Sequence, residues 1–124
     1  MQIKEFYEAV GGDYEDAKIR LVNDDMLTRF VIMFLEDSSF KCLSEELPKK
    51  NYGEAFRAVH TIKGLSRNLG FDQLGDSAAN LTETLRKWQS IPVDEDASRE
   101  QFRQLETEYR KVVNEIVKLK ASDD

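Results

Sequence analysis

Apolar residues recur along this chain at steps of three and four. Leu74, Ala78, Leu81, Leu85 and Trp88 follow that rule, and so do Phe102, Leu105, Tyr109, Val112, Ile116 and Leu119. Such steps return to the same side of a helix, so each set forms one apolar stripe. A stripe of this kind has to be buried against other helices. An earlier stripe starts near Asp24 with Leu27, Phe30, Val31, Phe34, Leu43 and Leu47. Its register slips at Ser38 and Ser39, which predicts a kink, and Pro48 marks its end.

Between the stripes lie turn signals. "KKNYGE" reads as a loop, and Asn51 with Glu54 three residues on resembles a capping box that starts the next helix. That helix is expected to stop near Gly70, a natural C-terminal glycine. "SIPVDED" separates the last two helices, and "ASDD" at the C-terminus is expected to fray. Two short amphipathic pieces, split by Gly11 and Gly12, precede the first long stripe and should cover one end of the assembly. Strand signals are weak throughout. The pattern predicts an all-α fold, an antiparallel up-down four-helix bundle with short additional N-terminal helices. Residues 1–124 would form one domain with a core at about 24–119, a size that suits a single core.

Composition narrows the class. Hydrophobic residues make up 40% and charged residues 34%, too apolar for a disordered chain. The longest apolar run is "FVIMFL", Phe30 to Leu35, far short of the roughly 18 residues a membrane span needs. Acidic residues from Glu5 to Asp16 do not read as a secretory signal, so a cytoplasmic protein is expected. Cys42 is the only cysteine, which excludes an internal disulfide and leaves a zinc site short of ligands. It reads as a small hydrophobe on a helix. A net charge of -6 opposes nucleic-acid binding, which rests on neutralising phosphates. Nothing points clearly to a dimer, so a monomer is expected.

The charge is uneven. From Arg57 to Arg67 the ionisable residues are Arg57, His60, Lys63 and Arg67, with no acid among them. His60 is the only histidine of the chain. At about 100° per residue, Ala55, Val59, Ile62, Ser66 and Leu69 share the core face of this helix. Phe56, Lys63, Gly64 and Arg67 lie within about 60° of His60, well off that face. The histidine should therefore be exposed, with two cations, an aromatic ring and a bare stretch of backbone beside it.

A lone histidine on a polar face is usually inert, but these neighbours are unusual. No acid near in sequence could orient it as a general base. Carrying a phosphoryl group fits better. Such a group brings about −1.5 to −2 charges and three acceptor oxygens. A neutral imidazole nitrogen is a competent nucleophile for it. Lys63, one turn on, can place its ammonium near the oxygens, and Arg67 could assist from two turns away. Gly64 costs about 1 kcal/mol in a helix interior relative to alanine. Either it clears space beside His60 or it serves close helix–helix packing. Phe56 offers apolar contact at a docking face or sits at the edge of the core.

"AVHTIKGLSRNLGFDQL" resembles the signature of histidine-containing phosphotransfer (HPt) domains of phosphorelays. The matching residues are His60, Lys63 and Gly64, then Gly70, Leu74 and Ala78. In outline the similarity runs from about Tyr7 to Leu119. It implies that His60 is the phosphoacceptor, through the ring nitrogen remote from the backbone. Lys63 would stabilise the phosphorylated state, and Gly64 would leave room around the ring. It further implies a phosphoryl carrier rather than an enzyme, with no cofactor of its own. The partners would be receiver domains of a hybrid histidine kinase or a response regulator, and these supply the aspartate and the magnesium. No glycine-rich phosphate loop is present, so ATP is not expected to be used. Leu65 and Arg67 stand where many members carry small residues. Leu65 is expected at the edge of the core, and Arg67 near the docking face, where it could tune partner choice. Two other readings are a phosphotransfer module excised from a chemotaxis-type histidine kinase and a helical interaction module without transfer.

Overall fold

The computed structural model describes residues 1–123, and no strand occurs among them. Helices α1 (Ile3–Val10) and α2 (Tyr14–Leu21) come first. Then follow α3 (Asp24–Met33), α4 (Ser39–Glu46), α5 (Tyr52–Leu69), α6 (Asp72–Leu85) and α7 (Glu95–Asp123). Short connections make sequential helices antiparallel neighbours. The α3–α4 segment, α5, α6 and α7 form the four-helix bundle. No helix is long and apolar enough to cross a membrane.

The first bundle segment is more than kinked. A 3₁₀ turn over Phe34–Glu36 and an extended Asp37 separate α3 from α4. The break lets Phe34 turn inward onto Phe71 and Tyr109 while Phe40 stacks on Tyr109 at 4.0 Å. Phe30 departs from its expected place in the stripe and is exposed, because Leu27, Val31 and Phe34 already fill the buried side. The start of α3 is capped by Asn23, whose side chain accepts from the Met26 N–H.

Two further expectations fail for local reasons. Asn51 is the residue before α5, but its side chain makes no cap hydrogen bond. Its amide donates to Glu46 instead, closing the turn through Lys50, which has a φ of 61°. Glu54 does not reach back either, because it pairs with Arg57. Trp88 is not part of the α6 stripe, since α6 ends at Leu85 and the chain continues in turns. Its ring lies over Gly53, where an added Cβ would come within 3.0 Å of the indole, and so it covers the first turn of α5. At the C-terminus α7 runs on through Ala121 to Asp123, and Asp124 lies outside the described residues.

The expected core face of α5 is buried in full: Ala55, Val59, Ile62, Ser66 and Leu69. They meet Leu74, Ala78, Leu81 and Leu85 from α6, and Leu105, Val112, Ile116 and Leu119 from α7. In proteins most helical stability comes from packing of such faces, and burial of these ones holds the bundle together. Ile3, Phe6, Tyr7 and Val10 of α1 join the same core. Phe6, Tyr7, Phe34 and Phe71 make an edge-to-face aromatic cluster at that end.

The N-terminal helices do more than cover an end, because they bind the C-terminus of α5. The last carbonyls of a helix have no partner within it. Here the Tyr7 hydroxyl donates to the Leu69 carbonyl at 2.5 Å. Arg20 donates to the carbonyls of Arg67 and Asn68, and the Asp13 N–H donates to that of Gly70 at 2.9 Å. Burial pushes the Tyr7 phenol well above its usual range, so it stays a proton donor. Gly70 adopts the left-handed conformation, φ 74°, that ends the helix, and the Phe71 N–H closes onto the Ser66 carbonyl.

Candidate functional site

His60 sits midway along α5 on its solvent side, and the residue is exposed. The helix is fixed at both ends, by Trp88 over Gly53 and by the N-terminal clasp described above. The imidazole is therefore displayed from a rigid element rather than a loop. Side chains on a helix lean towards its N-terminus. His60 accordingly lies against Phe56, one turn earlier, with ring centroids 5.9 Å apart and planes 11° from parallel. Phe56 is half-buried and packed against the core edge, one of the two places its position suggested.

Gly64 is one turn later. A Cβ built there would meet nothing within 4 Å. Close helix packing is thus not the reason for this glycine, and the space beside it opens to solvent. Lys63 is half-buried and makes no ion pair among the described residues. Leu65 is half-buried against the core, as expected.

The other two cations of the basic stretch are engaged. Arg57 pairs with Glu54, one turn back on the same helix. Arg67 reaches across to α6 and pairs with Asp76 at 2.8 Å. Its aliphatic stem passes over Gly75, where a Cβ would come within 3.3 Å of it. Arg67 is exposed and near the His60 face, but its charge is already matched. The basic patch read from the sequence is thereby reduced in effect to Lys63 beside His60.

The structure adds two residues that the sequence pattern did not single out. Arg86, just beyond α6, lies over the Phe56 ring with its guanidinium carbon 5.7 Å from the centroid. It also grips Glu83, with Nη2 to Oε1 at 2.8 Å and Nε to both carboxylate oxygens at 3.1 Å. The hydrogen bond from Arg86 holds the Glu83 carboxyl below its usual range, and the charge of Lys63 adds to this. The signal in sequence was a Glu–Arg pair three apart, which many solvated helices carry. Only the packing of α6 against α5 brings Arg86 over Phe56, the ring stacked on His60.

Cys42, half-buried on α4, has its thiol pushed up chiefly by burial, which makes it a poor nucleophile. Among the described residues no three of His, Cys, Asp or Glu are grouped to hold a metal ion.

A family model described as the Hpt domain matches residues 26–115. The chain belongs to the Hpt domain family. Hpt domains are phosphocarrier modules of two-component systems, and histidine phosphotransfer with receiver domains is what the family does. The match covers α3 to most of α7, whereas the α1–α2 clasp on the end of α5 precedes it. Comparisons with curated proteins and with solved structures returned no match.

Proposed function

We propose that this Hpt domain, acting as one domain over residues 1–124, carries a phosphoryl group on His60 between receiver-domain aspartates. One would belong to a hybrid histidine kinase and the other to a response regulator. The observation that supports this most is the exposed imidazole between an unpaired lysine and a helical glycine with open space beside it. In the transfer, a lone pair on the ring nitrogen remote from the backbone attacks phosphorus. The acyl P–O bond to the receiver's aspartate breaks, and its electron pair leaves with the carboxylate. The ring keeps its other N–H proton, carries a positive charge, and sheds that proton to water. The reverse sequence passes the group on.

Lys63 would hold the oxygens of the carried group. Charge-assisted hydrogen bonds of this kind are stronger than neutral ones. Replacing Lys63 by Ala should shorten the lifetime of the phosphorylated form or slow transfer by about tenfold, the equivalent of one such bond. The check is the decay of acid-labile phosphate on the purified chain after labelling by a phosphorylated receiver. Unchanged kinetics would remove the role given to Lys63.

Gly64 would leave room for the carried group and for the partner's loop. Gly64→Ala should raise stability by about 0.5–1 kcal/mol, because a methyl group in open space costs nothing and the helix gains. Gly64→Gln should keep that fold but slow receiver-dependent labelling at least tenfold by filling the space beside the ring. Thermal melts and labelling rates on the same preparations test both halves, and full activity of Gly64→Gln would contradict the steric role. Phe56 and Arg67 would belong to the docking face, Arg67 together with its partner Asp76. The chain acts as a monomer and works in the cytoplasm.

A further inference from the structure

Glu83 puts a carboxylate on Arg86, the cation lying over the ring that stacks on His60. A phosphoryl group on His60 adds about two negative charges close to it. The carboxylate of Glu83 meanwhile occupies Arg86. Arg86 contacts Phe56, Phe56 stacks on His60, and Lys63 follows His60 by one turn on the same face. Glu83 has Arg86 on one side and feels Lys63 on the other. Glu83 is thus tied through Arg86 and Phe56 to the ring proposed to carry the phosphoryl group. The side chains of Glu83 and Arg86 are 63% and 43% exposed, and a pair in that setting is weak and exchangeable.

We propose that Glu83 sets how readily phosphorylated His60 gives up its group, by competing with the phosphoryl oxygens for Arg86 and by repelling them. This rests on His60 being the acceptor. In the unmodified chain Arg86 stays on Glu83. In the phosphorylated chain Arg86 turns to the phosphoryl oxygens, and the freed carboxylate remains nearby as a like charge. The arrangement keeps the phosphohistidine from becoming a sink and moves the equilibrium towards the receiver's aspartate. Glu83 is a positioning residue here and makes no bond to phosphorus.

The test uses phosphoramidate as a small donor, so that no partner protein is needed. The P–N bond of the donor breaks, the bond from phosphorus to the ring nitrogen forms, and ammonia leaves with the electron pair. Phosphohistidine is then followed by ³¹P NMR in the wild type, Glu83→Gln, Arg86→Ala and the double variant. Glu83→Gln should lengthen the phosphohistidine lifetime about two- to fivefold, and Arg86→Ala should shorten it by a similar factor, the range expected of exposed charge pairs. With a receiver domain added, Glu83→Gln should raise the equilibrium share held on His60 by the same factor. The lifetime gain should fall by half or more in the Arg86→Ala background. It should also shrink in about 1 M salt, where the screening length is about 3 Å. Equal lifetimes in the wild type and Glu83→Gln, or a gain that ignores Arg86, would overturn the proposal. If instead the wild type formed no phosphohistidine, the reading of His60 itself would fall.

Discussion

His60→Gln should abolish receiver-dependent phosphorylation while leaving the bundle folded. Glutamine keeps the length and polarity of the side chain but offers no nucleophilic nitrogen. The position is exposed, and its ring stacks on Phe56. Substitutions at such surface sites usually change stability by no more than about 0.5 kcal/mol. Labelling should therefore fall to background at an unchanged melting temperature. No other histidine exists in the chain to take over. Labelled phosphate that persists on the variant would show that the acceptor lies elsewhere. A large loss of stability would show that His60 has a structural role not visible in its surroundings.

Gly70→Ala is expected to have the largest effect on stability. At φ 74° any side chain is strained. The left-handed conformation costs an L-residue about 1–2 kcal/mol. The added methyl would also come within 2.6 Å of the Asp13 carbonyl oxygen, which is backbone and cannot swing away. The same displacement would pull Gly70 O from the Asp13 N–H and disturb the clasp on α5. Together these predict a loss of about 2 kcal/mol or more, with a correspondingly lower midpoint in urea. Phosphohistidine chemistry at His60, about 15 Å along the helix at 1.5 Å per residue, should survive wherever the variant is folded. An unperturbed midpoint would mean that the junction between α2 and α5 can shift freely.

These two variants separate the two faces of α5, which the sequence already distinguished. The core face could be read because burial follows the 3.6-residue period: Val59, Ile62 and Leu69 are all inside. The His60 face was legible for a related reason, since residues three and four apart meet on one helix. That is how Phe56, Lys63 and Gly64 were placed beside it. What could not be read were contacts between helices. Arg67 seemed free on its own helix, and it is the offset of α6 that supplies Asp76 and the gap at Gly75. Glu83 and Arg86 were missed for the same reason. Trp88 kept the right spacing for one more turn, yet the helix stopped before it, because spacing does not register where packing partners end. Asn51 had the residue type of a cap, but a nearby carboxylate at Glu46 took its side chain.

The N-terminal helices carried a weak signal and a strong consequence. Tyr7, Asp13 and Arg20 look ordinary in sequence, and each satisfies a carbonyl at the end of the helix that bears His60. They precede residues 26–115, the region that the Hpt family model matches. These bonds fix the C-terminal end of the helix that displays His60.

The most direct test of the account is ³¹P NMR of the purified chain after incubation with a phosphorylated receiver domain, with coupling traced to the imidazole protons. The account predicts a single phosphohistidine signal, with phosphorus on the ring nitrogen of His60 remote from the backbone. Phosphate found only on a hydroxyl or carboxylate side chain, or no transfer from any receiver of the source organism, would contradict it.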